Sequence, residues 1–222
     1  MKRNHALAAL VLSLCAGSGQ AALSSFTTKA SFDAAIAGLS AAQTVDFDSV
    51  ASGTSFASGT GTGGLSFIYA IPGYSVQVAS TFGTTSGTNY LGLDNPDTAF
   101  YLGDSVTIDF GRTVHAVGLY LIAGSDAQAG DLELSVAGGS VFNSALADVL
   151  VSDGQAFFLG LVESDPGLGF TTATVSGTIT PGAFLAFTAD DITSAVSGVP
   201  EPETWALMGL GIGLLALRPR RA

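Results

Sequence analysis

Apolar and polar residues alternate along most of the middle of the chain, which is the pattern of β-strands with one buried face. The clearest example is Val106, Ile108 and Phe110, which are separated by the polar Thr107 and Asp109. Clusters of glycine, asparagine, aspartate, serine and proline separate the apolar stretches, as they do between antiparallel strands. The pattern predicts strands at residues 45–48, 65–70, 74–79, 89–93, 106–110, 113–122, 131–137, 156–162, 171–176 and 184–187.

The start of this region follows a different spacing. Between residues 28 and 39, apolar side chains from Phe32 to Leu39 recur at helical intervals, and Ser31 is the predicted N-cap. Residues 52–64 are almost all small, which predicts a mobile loop. Together these patterns predict an all-β domain over residues 22–198, an antiparallel β-sandwich or jelly-roll-like fold with one short N-terminal helix.

The first 21 residues have the three parts of a secretory signal peptide. Lys2 and Arg3 are followed by an apolar stretch over residues 6–16 and by small residues that end at Ala21. We expect the Sec machinery to export the chain and a signal peptidase to cut after Ala21. The single cysteine, Cys15, lies within this helix-forming segment, so the mature domain has no thiol for a disulfide or a metal site.

The last segment, residues 199–222, also has a tripartite pattern. Pro200, Glu201 and Pro202 prevent the preceding sheet from continuing, and residues 206–217 contain no charge. Arginines at the end of the chain form a basic stop that favours the cytoplasmic side of a membrane; they are Arg218, Arg220 and Arg221. A helix over residues 205–217 is only about 20 Å long, so we predict a marginal transmembrane anchor.

This C-terminal pattern resembles the PEP-CTERM sorting domain. The resemblance rests on Pro200, Glu201 and Pro202, the apolar helix and the arginine cluster, whereas Glu203 stands where the family more often has Ser or Ala. It implies recognition and cleavage by an exosortase, a membrane cysteine protease of Gram-negative bacteria that make exopolysaccharide. The resemblance therefore implies an exported protein that is anchored transiently in the inner membrane and then reaches the cell surface or the extracellular matrix.

The charge of the domain limits its partners. Between residues 22 and 198 only Lys29 and Arg112 are basic, against sixteen carboxylates, which gives a net charge of −14. Binding to nucleic acid depends on lysine and arginine, so nucleic acid is excluded as a partner. Such a surface suits solubility, cation binding or the binding of neutral sugars.

The mature chain has few groups for catalysis. It contains one histidine, His115, on an apolar predicted strand, no cysteine, and no Gly-x-Ser-x-Gly or His-x-x-x-His motif. We therefore expect a protein that is not an enzyme, with His115 in a packing role. A pair of carboxylates that hydrolyses glycosides stays open, because the sequence does not give their separation.

Clusters of acidic residues are candidates for calcium, which prefers oxygen ligands. The first choice combines Asp46 and Asp48 with Asp190 and Asp191, because the opening and closing strands of sandwiches are often neighbours. The second is the segment from Asp94 to Asp97. No other cofactor is expected.

The opening and closing strands also resemble, loosely, those of domains common among PEP-CTERM proteins and of jelly-roll carbohydrate-binding modules. From these observations we expect a structural or adhesive surface protein of an exopolysaccharide or biofilm matrix that binds carbohydrate. Two alternatives stay open. One is a secreted glycan-active enzyme, and the other is a spacer stiffened by calcium without any ligand.

Overall fold

The computed structural model describes residues 23–178 and 185–197, which form an antiparallel β-sandwich with one helix. The predicted all-β fold is confirmed. Its elements are β1 (Leu23–Phe26), α1 (Lys29–Ile36), β2 (Ser40–Val45), β3 (Ser55–Phe56), β4 (Ser66–Tyr69), β5 (Val76–Ala79), β6 (Tyr90–Leu93), β7 (Phe100–Tyr101), β8 (Ser105–Val114), β9 (Ala116–Ala123), β10 (Leu132–Val136), β11 (Gly139–Phe142), β12 (Val149–Val151), β13 (Gly154–Glu163), β14 (Phe170–Gly177) and β15 (Ala186–Val196).

Within the described residues the strands form two sheets. The larger sheet has the order β1-β13-β9-β15-β6-β5-β3, with β12 beside β13 and with β2 and β7 beside β15. The smaller sheet has the order β11-β10-β14-β8-β4. β15 is central to the larger sheet, since it pairs with β9 along most of its length while β7, β6 and β2 share its other edge in turn.

The main core lies between the two sheets. On β8 the alternation predicted from sequence is observed, because Val106, Ile108 and Phe110 are buried and the residues between them are half-buried. β9 of the larger sheet is buried on both faces. Its residues Val117, Leu119 and Leu121 face the smaller sheet, and the opposite face is covered by α1.

Helix α1 packs on the outer face of the larger sheet through Phe32. A side chain at Gly118 or Gly160, which are paired across β9 and β13, would approach the Phe32 ring to within 3 Å. The two glycines thus form the hollow that Phe32 fills. The N-cap is Thr28, whose Oγ1 accepts a hydrogen bond from Ser31 N–H, so the prediction of Ser31 as N-cap is wrong. Thr28 is the residue with extended backbone angles, whereas Ser31 already lies inside the helix.

The predicted strand over residues 113–122 is divided between the two sheets. β8 ends at Val114 in the smaller sheet and β9 begins at Ala116 in the larger one, so the chain changes sheets at His115. The predicted strand at residues 45–48 also differs, because β2 runs from Ser40 to Val45 and Phe47 has a positive φ of 61°. That backbone angle cannot continue a strand.

The predicted loop at residues 52–64 contains the short strand β3, and Thr60 forms a bridge with Phe67. The segment is therefore not a loop throughout, and its predicted mobility stays a prediction. The signal peptide and the tail at residues 199–222 lie outside the described residues. In the part of the chain that is described, no helix has the length and apolarity required to cross a membrane.

Candidate functional site

The four aspartates of the first predicted calcium site gather where β2 meets β15. We call Asp46, Asp48, Asp190 and Asp191 the acidic junction. β2 pairs with β15, with Val45 opposite Ile192, so the opening and closing strands are neighbours as the sequence prediction assumed. Asp46 and Asp48 are exposed, whereas Asp190 is fully buried.

A β-bulge places Asp190 and Asp191 at this position. Three steps along β15 from Asp190 to Thr193 match two steps along β9, and Asp191 has a φ of 53°. The bulge turns both carboxylates toward the loop between β5 and β6. Bulges commonly redirect side chains in this way.

The Asp190 carboxylate is buried and accepts several hydrogen bonds from that loop. Its Oδ2 lies 3.0 Å from Thr85 N and 3.2 Å from Ser86 N, and its Oδ1 accepts the Asp191 N–H at 2.8 Å. Burial and the neighbouring charge of Asp191 raise the pKa of Asp190 to about 6, although these hydrogen bonds act in the opposite direction.

Asp191 lies between Asp190 and the exposed rim of the junction. Its Oδ2 accepts the Thr85 hydroxyl at 2.9 Å. Burial raises the pKa of Asp191, the hydrogen bonds from Thr85 and Ser86 lower it, and the negative charge of Asp46 raises it further while Lys29 opposes that effect. The carboxylates of Asp46 and Asp191 therefore repel each other across the junction between β2 and β15.

The described residues contain no group of three or more histidine, cysteine, aspartate or glutamate side chains arranged to hold a metal ion. In the second candidate segment, Asp94 Oδ2 accepts the Ser55 hydroxyl at 2.8 Å, and Asp97 accepts the Tyr101 hydroxyl. Calcium binding at the acidic junction stays a prediction.

The feature that the acidic junction supports is the loop over residues 80–89, which we call the cleft loop. Asp48 Oδ1 accepts the N–H groups of Thr88 and Asn89 at 2.7 and 3.0 Å, and Asp190 holds the middle of the loop. Asp153, in the turn between β12 and β13, accepts Gly83 N–H at 2.7 Å. Carboxylates from three distant parts of the chain thus fix one loop that is rich in serine, threonine and glycine.

Two adjoining depressions lie beside the cleft loop. The first, the apolar cavity, has a volume of about 290 Å³. Its lining comprises Phe82, Ala99, Ile122, Ala123, Gly124, Asp126, Asp153, Gly154, Leu185, Ala186, Phe187 and Thr188. Most of these residues are apolar, and the carboxylates of Asp126 and Asp153 belong to exposed residues.

The second depression, the hydroxyl hollow, has a volume of about 410 Å³. Its lining comprises Ser80, Thr81, Phe82, Gly83, Thr84, Gly87, Thr88, Ser152 and Asp153. Phe82 and Asp153 line both depressions. Phe82 is 39% exposed and packs against buried Tyr90, with ring centroids 6.0 Å apart. The site therefore presents an aromatic ring beside a group of hydroxyls and a carboxylate.

His115 lies away from this site and joins three segments. Its Nδ1 accepts Ser197 N–H at 3.0 Å, and its Nε2 lies 3.2 Å from the Pro166 carbonyl oxygen. With Nδ1 as acceptor, Nε2 carries the proton and donates to Pro166. These contacts are those of a structural residue, and whether His115 has any catalytic part stays untested.

Comparison with known proteins gives information about the C-terminal end. Residues 198–221 match the family described as the PEP-CTERM protein-sorting motif. The chain carries a PEP-CTERM sorting signal. It follows that the protein is exported and sorted by an exosortase, with a C-terminal membrane-anchored signal. No curated protein and no solved structure matches the chain.

Sequence reasoning did not find Phe82, Asp153 or Thr188. One signal was visible, since Phe82 is a single large apolar residue within a run of small and hydroxylated residues. The other walls of the two depressions come from β9, the turn between β12 and β13, the start of β13, and β15, which are far from Phe82 in sequence. Their position depends on strand pairing that a single sequence does not specify.

Proposed function

We propose that this PEP-CTERM protein is a non-enzymatic component of the extracellular polysaccharide matrix that binds carbohydrate in the two depressions beside the cleft loop. The observation that carries this proposal is the exposed ring of Phe82 next to the hydroxyl hollow. Sugars have both apolar C–H faces and hydroxyl groups. A site with an aromatic ring and several hydroxyls and carboxylates offers partners for both.

The cleft loop suits binding because it is held in one conformation. Asp48, Asp153 and Asp190 hold its backbone through hydrogen bonds from Thr88, Gly83 and Thr85. A preformed site loses less conformational entropy when a ligand binds. Rigid support of the loop therefore favours affinity for a weakly binding ligand such as a sugar.

The charge of the domain narrows the class of carbohydrate. Its net charge is −14 between residues 22 and 198, and Asp153 lines both depressions. An anionic polysaccharide would be repelled, whereas a neutral one would not. The proposed partner is therefore a neutral exopolysaccharide, which the protein meets after exosortase processing at the cell surface or in the matrix.

The test is a glycan array probed with the full-length protein in mild detergent, followed by titration of the glycans that are retained. Phe82→Ala should weaken binding by about fivefold, because an aromatic contact is worth about 1 kcal/mol. Phe142→Ala removes a ring that is 45% exposed on the other sheet and serves as the matched control. Absence of any retained glycan, or equal affinities of Phe82→Ala and the unmodified protein, would refute the proposal.

One observation favours a glycan-active enzyme as a second candidate. Asp126 and Asp153 both line the apolar cavity, and glycosidases use two carboxylates on either side of the bond that they cleave. Incubating retained glycans with the protein and measuring new reducing ends separates the two functions. Release that disappears in both Asp126→Asn and Asp153→Asn would establish hydrolysis, and binding without release would establish the first proposal.

A further inference from the structure

A buried hydroxyl in the apolar cavity has no partner. Thr188 on β15 is 3% exposed, and its Oγ1 is the buried side-chain polar atom of the described residues that lacks a hydrogen-bond partner. An unpaired buried hydroxyl costs about 1–3 kcal/mol. Such an atom in the lining of a cavity indicates a place where a ligand atom completes the hydrogen bonding.

The surroundings of this hydroxyl are apolar. Ala99, Ile122, Leu185 and Phe187 line the same cavity and are at most 5% exposed. Its volume of about 290 Å³ is just below the roughly 300–1,000 Å³ that pockets for drug-sized ligands occupy. The cavity therefore takes one small group rather than a stretch of polymer.

We propose that the apolar cavity binds the acetamido group of an N-acetylated sugar, with Thr188 as its hydrogen-bond partner. This inference rests on the proposed carbohydrate function and specifies its substrate class. The acetamido methyl is apolar and packs against Ile122 and Leu185. The acetamido carbonyl accepts the Thr188 hydroxyl, and its N–H is a donor for a carboxylate of the cavity, Asp126 or Asp153.

Other sugar substituents fit this lining less well. A ring hydroxyl placed against Ile122 and Leu185 would lose its hydrogen bonds to water without replacement, at a cost of about 1–3 kcal/mol. A methyl group alone would leave Thr188 unpaired. A carboxylate or sulfate would meet the negative charges of Asp126 and Asp153.

Because the two depressions adjoin, a sugar whose acetamido group occupies the apolar cavity can place its ring in the hydroxyl hollow. Phe82 and Asp153 line both the apolar cavity and the hydroxyl hollow. With the acetamido group in the cavity, the ring extends past Phe82 into the hollow. There its hydroxyls meet Thr84, Thr88 and Ser152.

The first measurement compares matched sugars. N-acetylglucosamine, N-acetylgalactosamine and N-acetylmannosamine are titrated against the full-length protein, with glucose, galactose and mannose as their parent hexoses. At least one N-acetylated sugar should bind tenfold or more tightly than its parent. Equal affinities in all three pairs would overturn the acetamido assignment and leave the carbohydrate function standing, whereas absence of binding by any sugar or glycan would overturn both.

The second measurement uses Thr188→Val, which replaces the unpaired hydroxyl by a methyl of similar shape. The preference for the N-acetylated sugar should fall at least fivefold, while the Tm of the free protein stays the same or rises. Thr174→Val is the control, because Thr174 lies on β14 of the smaller sheet, where its hydroxyl contacts that of Thr107 on the neighbouring strand β8, and it does not line the cavity. An unchanged preference in Thr188→Val, or a lowered Tm of the free variant, would overturn the assignment.

A third variant keeps the inference testable if Thr188→Val does not fold. Ala186 lines the apolar cavity and is only half-buried, so Ala186→Leu fills the cavity from its mouth. It should abolish the difference between each N-acetylated sugar and its parent. Survival of that difference would place the acetamido group elsewhere and overturn the proposal.

Discussion

The surroundings of the Asp190 carboxylate disfavour its ionised form. It is fully buried beside Asp191, and the hydrogen bonds from Thr85 and Ser86 compensate only in part, so its pKa is raised to about 6. The same carboxylate holds the cleft loop. Its protonation state therefore links the stability of the domain to the position of the loop beside the two depressions.

The pH dependence of stability follows from this raised pKa. The folded state holds the proton more tightly than the unfolded chain, so the stabilisation is complete below the ordinary pKa of 3.8 and is lost as pH rises through about 6. For this group alone, the free energy of unfolding should be larger at pH 5 than at pH 7.5 by about 1 kcal/mol. Asp191→Asn should reduce that difference, because it removes the neighbouring charge.

This substitution is suited to the site, since asparagine tolerates the positive φ of position 191 and keeps an acceptor for the Thr85 hydroxyl. Urea unfolding of both proteins at the two pH values gives the measurement. Asp126→Asn removes one carboxylate from an exposed position and is the control. Parallel pH dependence of Asp191→Asn and the unmodified protein would contradict the coupling between Asp190 and Asp191.

At the scale of elements, the packing of α1 depends on the absence of side chains from the sheet. Gly118 on β9 and Gly160 on β13 lie opposite each other, and a Cβ at Gly118 would be 2.6 Å from the Phe158 ring and 2.9 Å from the Phe32 ring. Both rings are buried, and their centroids are 5.2 Å apart. The helix is thus seated by an aromatic pair over two glycines.

Gly118→Ala should therefore lower the free energy of unfolding by about 1–3 kcal/mol, the usual effect of adding a methyl group to a filled core. Gly38→Ala is the matched control, because a Cβ at Gly38 meets no atom within 4 Å. Chemical denaturation of the two variants compares the same substitution in filled and open space. Equal stabilities would show that α1 moves away from the sheet without cost and would contradict the proposed seating.

The elements also show which parts of the fold a single sequence predicts. Alternation identified β8 through Val106, Ile108 and Phe110, because one buried face leaves a period of two. It did not reveal that the chain changes sheets at His115, since apolar residues continue on both sides of that position. Nor did it reveal the bulge at Asp190 and Asp191, which exists only relative to the register of β9.

Part of the candidate site was predictable from the sequence, and part was not. The pairing of β2 with β15 was expected and brings Asp46 close enough to Asp191 to raise its pKa. The role of these aspartates as supports of the cleft loop was not expected. Thr85 and Asp190 are 105 residues apart, and no local pattern connects them.

At the scale of the whole molecule, the dominant property is negative charge. The domain carries sixteen carboxylates and two basic side chains, and within the described residues Lys29 and Asp33 form the ion pair that the structure shows. Self-repulsion of such a surface disfavours the compact state. The acidic junction concentrates this repulsion where the strands near the two ends of the domain meet.

We therefore predict that calcium stabilises the protein by binding at the exposed side of the acidic junction, to Asp46 and Asp191. Asp190 contributes little to such a site, because its oxygens already accept hydrogen bonds from Thr85 and Ser86. A ligand that binds only the folded state adds about 2.7 kcal/mol at one hundred times its dissociation constant. The Tm of the full-length protein should then be higher in millimolar calcium than in chelator at matched ionic strength.

Magnesium at the same concentration separates a specific site from general screening, because calcium accepts irregular sets of oxygen ligands and magnesium does not. Asp46→Asn combined with Asp191→Asn should remove the calcium increment, while Asp94→Asn combined with Asp97→Asn should keep it. Equal Tm values in calcium and chelator would show that calcium does not stabilise this protein. The spacer stiffened by calcium would then be excluded, and the cleft loop would depend only on the hydrogen bonds of Asp48, Asp153 and Asp190.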